Sequence, residues 1–254
     1  DYSQLRPEGA RLSTMGGRSS GPQPLIKLHD FIRETMHNAQ GRKLTSLECH
    51  DIANQIAEIV VAGGVRRSSQ ISLSDLNDED MRHAKDWPFP IRRAMANNSA
   101  IYREKPVAAD FLVEWGVLAK SGSGERGIFN LESAQNQAPA RRYSSKIQGT
   151  NPCGEIMLRD MEFCNLSEVV IREEDDLDSL LDKVETATWL GVLQSTFTDF
   201  PYLRKQWKKN CDVERLLGVS LTGQMDNPIV MNSEALKALK SRVLRISRKA
   251  STLL

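Results

Sequence analysis

The segment Gly149-Thr150-Asn151-Pro152-Cys153-Gly154-Glu155-Ile156 holds the residues best suited to chemistry. Asn151, Cys153 and Glu155 stand at i, i+2 and i+4. Pro152 pushes Asn151 toward extended backbone, and Gly154 permits a tight turn. Alternate side chains of an extended chain project to the same side, so the spacing predicts an amide, a thiol and a carboxylate converging on one point. Such a set offers a hydrogen-bond donor, a sulfur nucleophile or radical, and a general base. A plain turn with a buried cysteine is the other meaning of the segment, and the commoner one for so short a motif.

Elements able to position these residues are visible on both sides. Leu25, Leu28, Phe31, Ile32 and Met36 recur at helical spacing. Thr45 with Glu48 three residues on caps a second helix through Val60, ended by Gly63-Gly64. Gln70–Ser74 alternates as a strand, Asp75–Asp86 reads as a short acidic helix, and Ser99–Tyr102 and Gly127–Asn130 as strands around a helix at Ala108–Lys120. Ser133–Gly149 is polar and loop-like. Glu168–Arg172 reads as a strand, Leu177–Thr198 as a long helix, and Pro201, Asn210 and Gly218 as punctuation between further helices. The last helix starts near Ser233. Strands alternating with helices indicate an α/β fold with parallel pairing.

Composition removes several classes. The 254 residues carry 34 Lys+Arg against 33 Asp+Glu, a formal charge of +1, with 40% hydrophobic and 26% charged residues. That balance excludes a disordered chain. No apolar run approaches the roughly 20 residues of a membrane span, and no signal pattern opens the chain, so no membrane partner is expected. The absent initiator Met reads as a processed or cut end. Cys49, Cys153, Cys164 and Cys211 are too few for a disulfide scaffold, and without C-x-x-C spacing no metal site is expected. Reduced thiols in a cytoplasmic protein are the expectation. Cys49 and Cys211 read as structural. Arg92-Arg93 and Arg141-Arg142 read as pairs on a solvated face, with phosphate contact as the alternative. From Pro228 on there are six Lys/Arg against one Glu, a basic helical tail. Against nucleic-acid binding through that tail stands the near-zero net charge of the whole chain.

Other segments complete a pattern. Phe163-Cys164-Asn165-Leu166-Ser167-Glu168 follows, with Cys164 eleven residues beyond Cys153. Upstream lie Leu5-Arg6-Pro7, Gly16-Gly17-Arg18-Ser19-Ser20-Gly21-Pro22 and Gly63-Gly64-Val65-Arg66-Arg67-Ser68. Ala96-Asn97-Asn98-Ser99, Gly124-Glu125-Arg126-Gly127-Ile128-Phe129 and Glu214–Gly223 fill the remaining places. In this order they resemble the adenosylcobalamin-dependent (class II) ribonucleotide reductases, nearest the ribonucleoside-triphosphate branch, over about residues 5–227.

The resemblance implies part of a ten-stranded α/β barrel with a central finger loop at 149–156. It implies residues 1–227 as the central part of that barrel, with effector-type loops at 9–22 and 63–69; residues 228–254, beyond the resemblance, are the basic helical tail. Cys153 would become a thiyl radical that takes the 3′-hydrogen of a ribonucleotide substrate. Glu155 would take the 3′-hydroxyl proton, and Asn151 would hydrogen-bond the substrate. Cys164 would be one of two cysteines reducing the 2′ position, re-reduced by a thioredoxin-type reductant. The cofactor implied is adenosylcobalamin. Gly63, Gly64, Arg66, Arg67 and Ser68 would relay the identity of an allosteric nucleotide, or else form a solvated turn, and the two readings stand level. The other redox cysteine, the substrate-phosphate Lys-Pro-Ser-Gly run and the C-terminal cysteine pair of the family do not occur in this sequence, which implies partner N- and C-terminal segments or chains. A non-catalytic descendant that binds nucleotide or a protein partner is the competing reading; keeping Asn151, Cys153, Glu155 and Cys164 together argues for the enzyme.

Overall fold

The computed structural model of the protein describes residues 1–13, 16–62 and 68–253. Gly63, Gly64, Arg66 and Arg67 of the expected relay loop and Met15 of the neighbouring loop lie outside the described residues. In chain order the helices and strands are α1 (Gln23–Asn38), α2 (Ser46–Ala62), β1 (Gln70–Ser74), α3 (Glu79–Arg82), β2 (Ala96–Tyr102), α4 (Ala108–Ser121), β3 (Gly127–Asn130), α5 (Leu131–Asn136), β4 (Ile147–Thr150), β5 (Met157–Arg159), β6 (Asn165–Val170), α6 (Leu177–Ser195), α7 (Lys205–Glu214), β7 (Leu217–Thr222) and α8 (Ser233–Leu253). The start of α2 is the capping box that its sequence predicts. Thr45 Oγ1 accepts from the Glu48 N–H at 3.1 Å, and Glu48 Oε2 accepts from the Thr45 N–H at 2.9 Å. Arg42 grips the same carboxylate at 2.7 and 2.8 Å; its hydrogen bonds, followed by that of Thr45, lower the Glu48 pKa to about 2.

The chain divides into two compact units, Asp1–Ala138 with Gly149–Glu155, and Pro139–Gln148 with Ile156–Leu254. In the first, β1, β2 and β3 form a parallel sheet in that order, with Gln70 opposite Ala96 and Ser99 opposite Gly127. The central strand β2 buries Ala96, Ala100, Ile101 and Tyr102, beside Met81, Ala84 and Leu131. The strand is not an apolar run: Asn97 is exposed, Asn98 is buried and Ser99 half-buried, and its apolar burial is concentrated in Ala100, Ile101 and Tyr102.

In the second unit β6 and β7 pair in parallel from Asn165 opposite Leu217 to Val170 opposite Thr222. Val169 and Ile171, at the end of β6, pack with Leu180, Val184 and Ala187 of α6, Leu239 of α8 and Val230. α8 buries Ala235, Leu239, Ile246 and Ala250, one stripe of an amphipathic helix. It keeps Lys237, Lys240, Arg245, Arg248 and Lys249 exposed, while Arg242 pairs with Glu185 of α6 at 2.7 Å.

Four expectations are corrected. Only Glu79–Arg82 of the acidic segment 75–86 is α-helical, because Asp78 caps a single turn through the Met81 N–H at 3.0 Å. The polar stretch 133–149 is partly ordered by α5 and β4. The strand expected at 168–172 runs from Asn165 to Val170, and Gly218 lies inside β7 instead of ending a helix. Gly218 reads as a breaker in sequence, but a Cβ there would press on Leu166 Cδ2 at 2.7 Å; the glycine admits a close strand-to-strand approach.

Leu180 is fully buried in the core of the second unit. Leu180→Ala is expected to cost about 2–5 kcal/mol of unfolding free energy, read as a lower denaturant midpoint.

Candidate active site

The loop that follows β4 is a turn, not an extended segment. The Gly154 N–H donates to the Asn151 carbonyl at 3.0 Å, and Gly154 sits at φ +87°, a region open to glycine. The expectation that alternation along extended backbone brings the three side chains together is therefore corrected: the chain reverses, and the contact it makes is between two of them. Reversal brings Asn151 and Glu155 into contact, with Asn151 Nδ2 donating to Glu155 Oε1 at 2.7 Å. Thr150 Oγ1 donates to Asn151 Oδ1 at 3.3 Å, and the Pro152 carbonyl accepts from Asn97 Nδ2 of β2 at 3.0 Å. Asn151 is buried, whereas Cys153 and Glu155 are exposed. The amide thus holds a carboxylate in place while the thiol occupies the tip of the turn, open to a reaction partner.

Cys164 belongs to the second unit. It is half-buried, one residue before β6. The residues before it are fixed to α7: Asn210 Nδ2 donates to the carbonyls of Asp160 and Met161 at 2.7 and 3.2 Å, and the Phe163 ring packs on Trp207 and Phe200 with centroids 4.5 and 5.2 Å away. The residue after it is fixed to the start of β7, where the Leu216 carbonyl accepts both the Asn165 N–H and Asn165 Nδ2 at 3.0 Å. Ser68, from the expected relay loop, is half-buried just ahead of β1.

Cys211 is buried on α7, and burial pushes its thiol pKa up, making it a poor nucleophile. Cys49 is exposed on α2. Of the two arginine pairs expected on a solvated face, Arg141 is exposed as expected, whereas Arg92, Arg93 and Arg142 are largely covered and paired. Arg93 holds Asp51 through two bonds of 2.7 and 2.8 Å, and Arg92 lies 4.5 Å over the Phe31 ring. Burial alone would raise the Asp51 pKa, but Arg93 outweighs it and holds the carboxyl below its usual range. Arg142 is also buried and grips Glu214 through Nε at 2.7 Å and Nη2 at 2.6 Å, while Nη1 donates to the Met157 carbonyl at 3.0 Å. Arg159 completes this cluster on the other Glu214 oxygen. Glu162 accepts the Arg159 N–H at 2.9 Å and lies 3.5 Å from Arg142 Nη2. Burial pushes the Glu162 pKa up.

Sequence reasoning missed a second buried arginine site. Arg126 Nε and Nη2 hold Glu114 of α4 at 3.0 and 2.7 Å, and Nη1 reaches Ser74 at the end of β1 at 2.9 Å. A glutamate among the apolar residues of α4 was the available signal, since an acid is buried only when paired. His50 is flanked by Ser72 at 2.7 Å and Asn54 at 2.8 Å, and burial lowers its pKa. Among the described residues no three His, Cys, Asp or Glu side chains are grouped to hold a metal ion, and no helix is long and apolar enough to cross a membrane.

The sequence pattern of the ribonucleotide reductase barrel domain matches residues 90–226, taking in the loop, Cys164 and both parallel strands of the second unit. The chain belongs to the ribonucleotide reductase family, as part of its α/β barrel. Among similar proteins, the adenosylcobalamin-dependent ribonucleoside-triphosphate reductase of Levilactobacillus brevis is 35% identical over 261 residues, which cover 96% of this chain and 32% of that protein. The enzymes of the same name from Lactobacillus gasseri and Lactobacillus leichmannii are 34% and 33% identical, covering 89% of this chain and 30% and 31% of their own lengths. The chain spans about a third of the length of the curated relatives it matches.

A raised pKa at Glu162 has a defined consequence for stability. The fold favours the protonated acid, so its contribution is complete below the ordinary glutamate value of 4.5 and declines as pH rises toward the raised value. Glu162→Gln keeps the shape of the protonated acid and removes this decline. The variant is expected to match the parent near pH 4 and exceed it near pH 8 in denaturant midpoint.

Proposed function

We propose that this chain is the central catalytic part of an adenosylcobalamin-dependent ribonucleotide reductase, reducing ribonucleotides, triphosphates in the first place, to 2′-deoxyribonucleotides for DNA synthesis. The observation that carries the reading is the turn at 151–155, in which a buried amide orients a carboxylate beside an exposed thiol, in a chain of this family. The exposed thiol suits the receiving end of radical transfer, and when bound the cofactor supplies the radical equivalent. No residue of this chain is assigned to hold the corrin.

The chain's own residues then divide the work. Cys153, as thiyl, takes the 3′-hydrogen and becomes a thiol, leaving the unpaired electron on the ribose carbon. Glu155 accepts the 3′-hydroxyl proton, and the Asn151 amide, already donating to Glu155, keeps that carboxylate aimed. Cys164 supplies one of the two thiols whose oxidation to a disulfide gives the two electrons that reduce the 2′ position, one thiol proton going to the 2′ carbon and the other leaving with the 2′-hydroxyl as water, after which Cys153 returns the 3′-hydrogen; the second thiol comes from a segment outside this sequence. Positioning matters because a thiol, a base and an amide must meet one ribose, and such pre-orientation is worth up to roughly 7–11 kcal/mol. Gly63, Gly64, Arg66, Arg67 and Ser68 would pass the identity of an allosteric nucleotide to the substrate site, and a thioredoxin-type protein would restore the thiols. A cytoplasmic setting, where thiols stay reduced, fits this chemistry.

The test is deoxynucleotide formation with adenosylcobalamin, effector and dithiol. The isolated 254-residue chain is expected to be inactive, and addition of the flanking reductase segments in trans or by fusion to give turnover; steady product from the chain alone would show that another thiol replaces the missing one. In the complemented enzyme Cys153→Ser is expected to abolish product while leaving folding intact, because the swap is nearly isosteric and an O–H bond is too strong to yield an alkoxyl radical here. Cys164→Ser is expected to fail differently, with free nucleobase released in place of steady product. Normal multiple turnover of that variant would make Cys164 merely structural.

A further inference from the structure

Met161 and Arg215 are the two non-glycine residues with positive φ among the described residues, at +52° and +41°. Such backbone is unfavourable for a side-chain-bearing residue and persists where the surroundings enforce it. Both neighbour a buried carboxylate of one cluster. Met161 precedes Glu162, and Arg215 follows Glu214. Each also stands just ahead of a strand, β6 after Cys164 and β7 after Leu216.

The enforcing groups are the buried charges. Arg142 and Arg159 both grip Glu214, Arg142 also ties down the Met157 carbonyl, and Glu162 takes the Arg159 N–H. Glu162 Oε2 faces the donors, while its buried Oε1 meets none. Burial favours the protonated form of this carboxyl. The charged and titratable groups around Glu162 are then Arg142 from the arm before β4, Arg159 from β5, and Glu214 and Cys211 from α7. One cluster therefore clamps the chain on both sides of residues 149–155 and both strained turns, all within the second unit.

We propose that Glu162 is a positioning residue for Cys164: with Arg142, Arg159 and Glu214 it locks the turns at Met161 and Arg215 and so fixes where the Cys164 thiol enters β6. One residue separates Glu162 from Cys164, and that residue's ring, Phe163, is wedged against α7, so a shift at Glu162 has no slack in which to dissipate. The link to catalysis rests on the reductase reading above; the link to Cys164 geometry does not.

Two measurements test it separately. On the purified chain, Glu162→Ala is expected to raise the alkylation rate of Cys164 by about tenfold and to speed amide exchange in residues 142–148 and 157–166, with α6, α8 and the β1–β3 sheet unchanged, as for a local opening. Glu162→Gln, which fills the same space as a neutral donor, is expected to keep parental rates. Should Glu162→Ala not fold, Glu162→Asp, which withdraws the carboxyl by one methylene, carries the same readout. Parental labelling and exchange in these variants would overturn the proposal, and so would a loss of protection spread evenly over α6 and α8. In the complemented enzyme Glu162→Ala is expected to lower kcat by about 10²-fold, the scale of a 1 Å misplacement, with KM little changed and Glu162→Gln restoring turnover. An inactive complemented parent counts against the reductase reading alone; an active one whose Glu162→Ala form keeps full kcat counts against this proposal alone.

Discussion

Arginine keeps its charge at any pH a protein meets, so a fold that buries one must bring a carboxylate to it or lose several kcal/mol. Both units of this chain are organised by that requirement. In the first, Arg126 draws together Glu114 on α4, Ser74 at the end of β1 and the carbonyls of Asp75 and Leu76. It stands directly before β3, so one guanidinium ties the sheet's first strand to its third. Arg82 adds a second cation on Glu114. In the second unit Arg142 and Arg159 converge on Glu214 and Glu162. Clusters of this kind add little net stability over apolar packing, but breaking one partner leaves an uncompensated buried charge. Their effect is to make one arrangement of strand ends and turns far better than its neighbours.

The candidate reactive segment is small, and contacts within the first unit shape it. The turn at 151–155 has little apolar surface of its own. It is held by one backbone bond, by the Asn151–Glu155 contact and by Asn97 on the Pro152 carbonyl. Cys164 has anchors of its own within the second unit, with Phe163 wedged on α7 and Asn165 bonded to Leu216.

The helices with strong periodicity and caps were legible in the sequence. The Thr45–Glu48 capping box is fixed by contacts within three residues and was legible for that reason; the β1 and β3 boundaries and the start of α8 also lie where local propensity puts them, although both strands pair with distant β2. Other elements that depend on distant partners were not. β7 was hidden by Gly218, whose role is close approach to Leu166 and not helix breaking. Arg142 and Arg93 read as solvated because nothing near them in sequence hints at Glu214 or Asp51. The composition of the reactive turn was legible, since Asn, Cys and Glu in fixed spacing carry chemistry whatever the backbone does. Its conformation was not, because an extended strand puts residues i and i+4 on one face while only a reversal brings them into contact, and the Pro-x-Gly sequence admits both.

The central claim is that the Cys153 sulfur carries the unpaired electron that starts ribonucleotide reduction. Rapid-freeze electron paramagnetic resonance of the complemented enzyme, prepared with ordinary and with β-deuterated cysteine, addresses it directly. The account predicts a transient signal, formed with substrate and adenosylcobalamin present, whose hyperfine splitting narrows on deuteration of cysteine and disappears when Cys153 is replaced by serine. Deoxynucleotide formation accompanied by a signal insensitive to cysteine deuteration would contradict it.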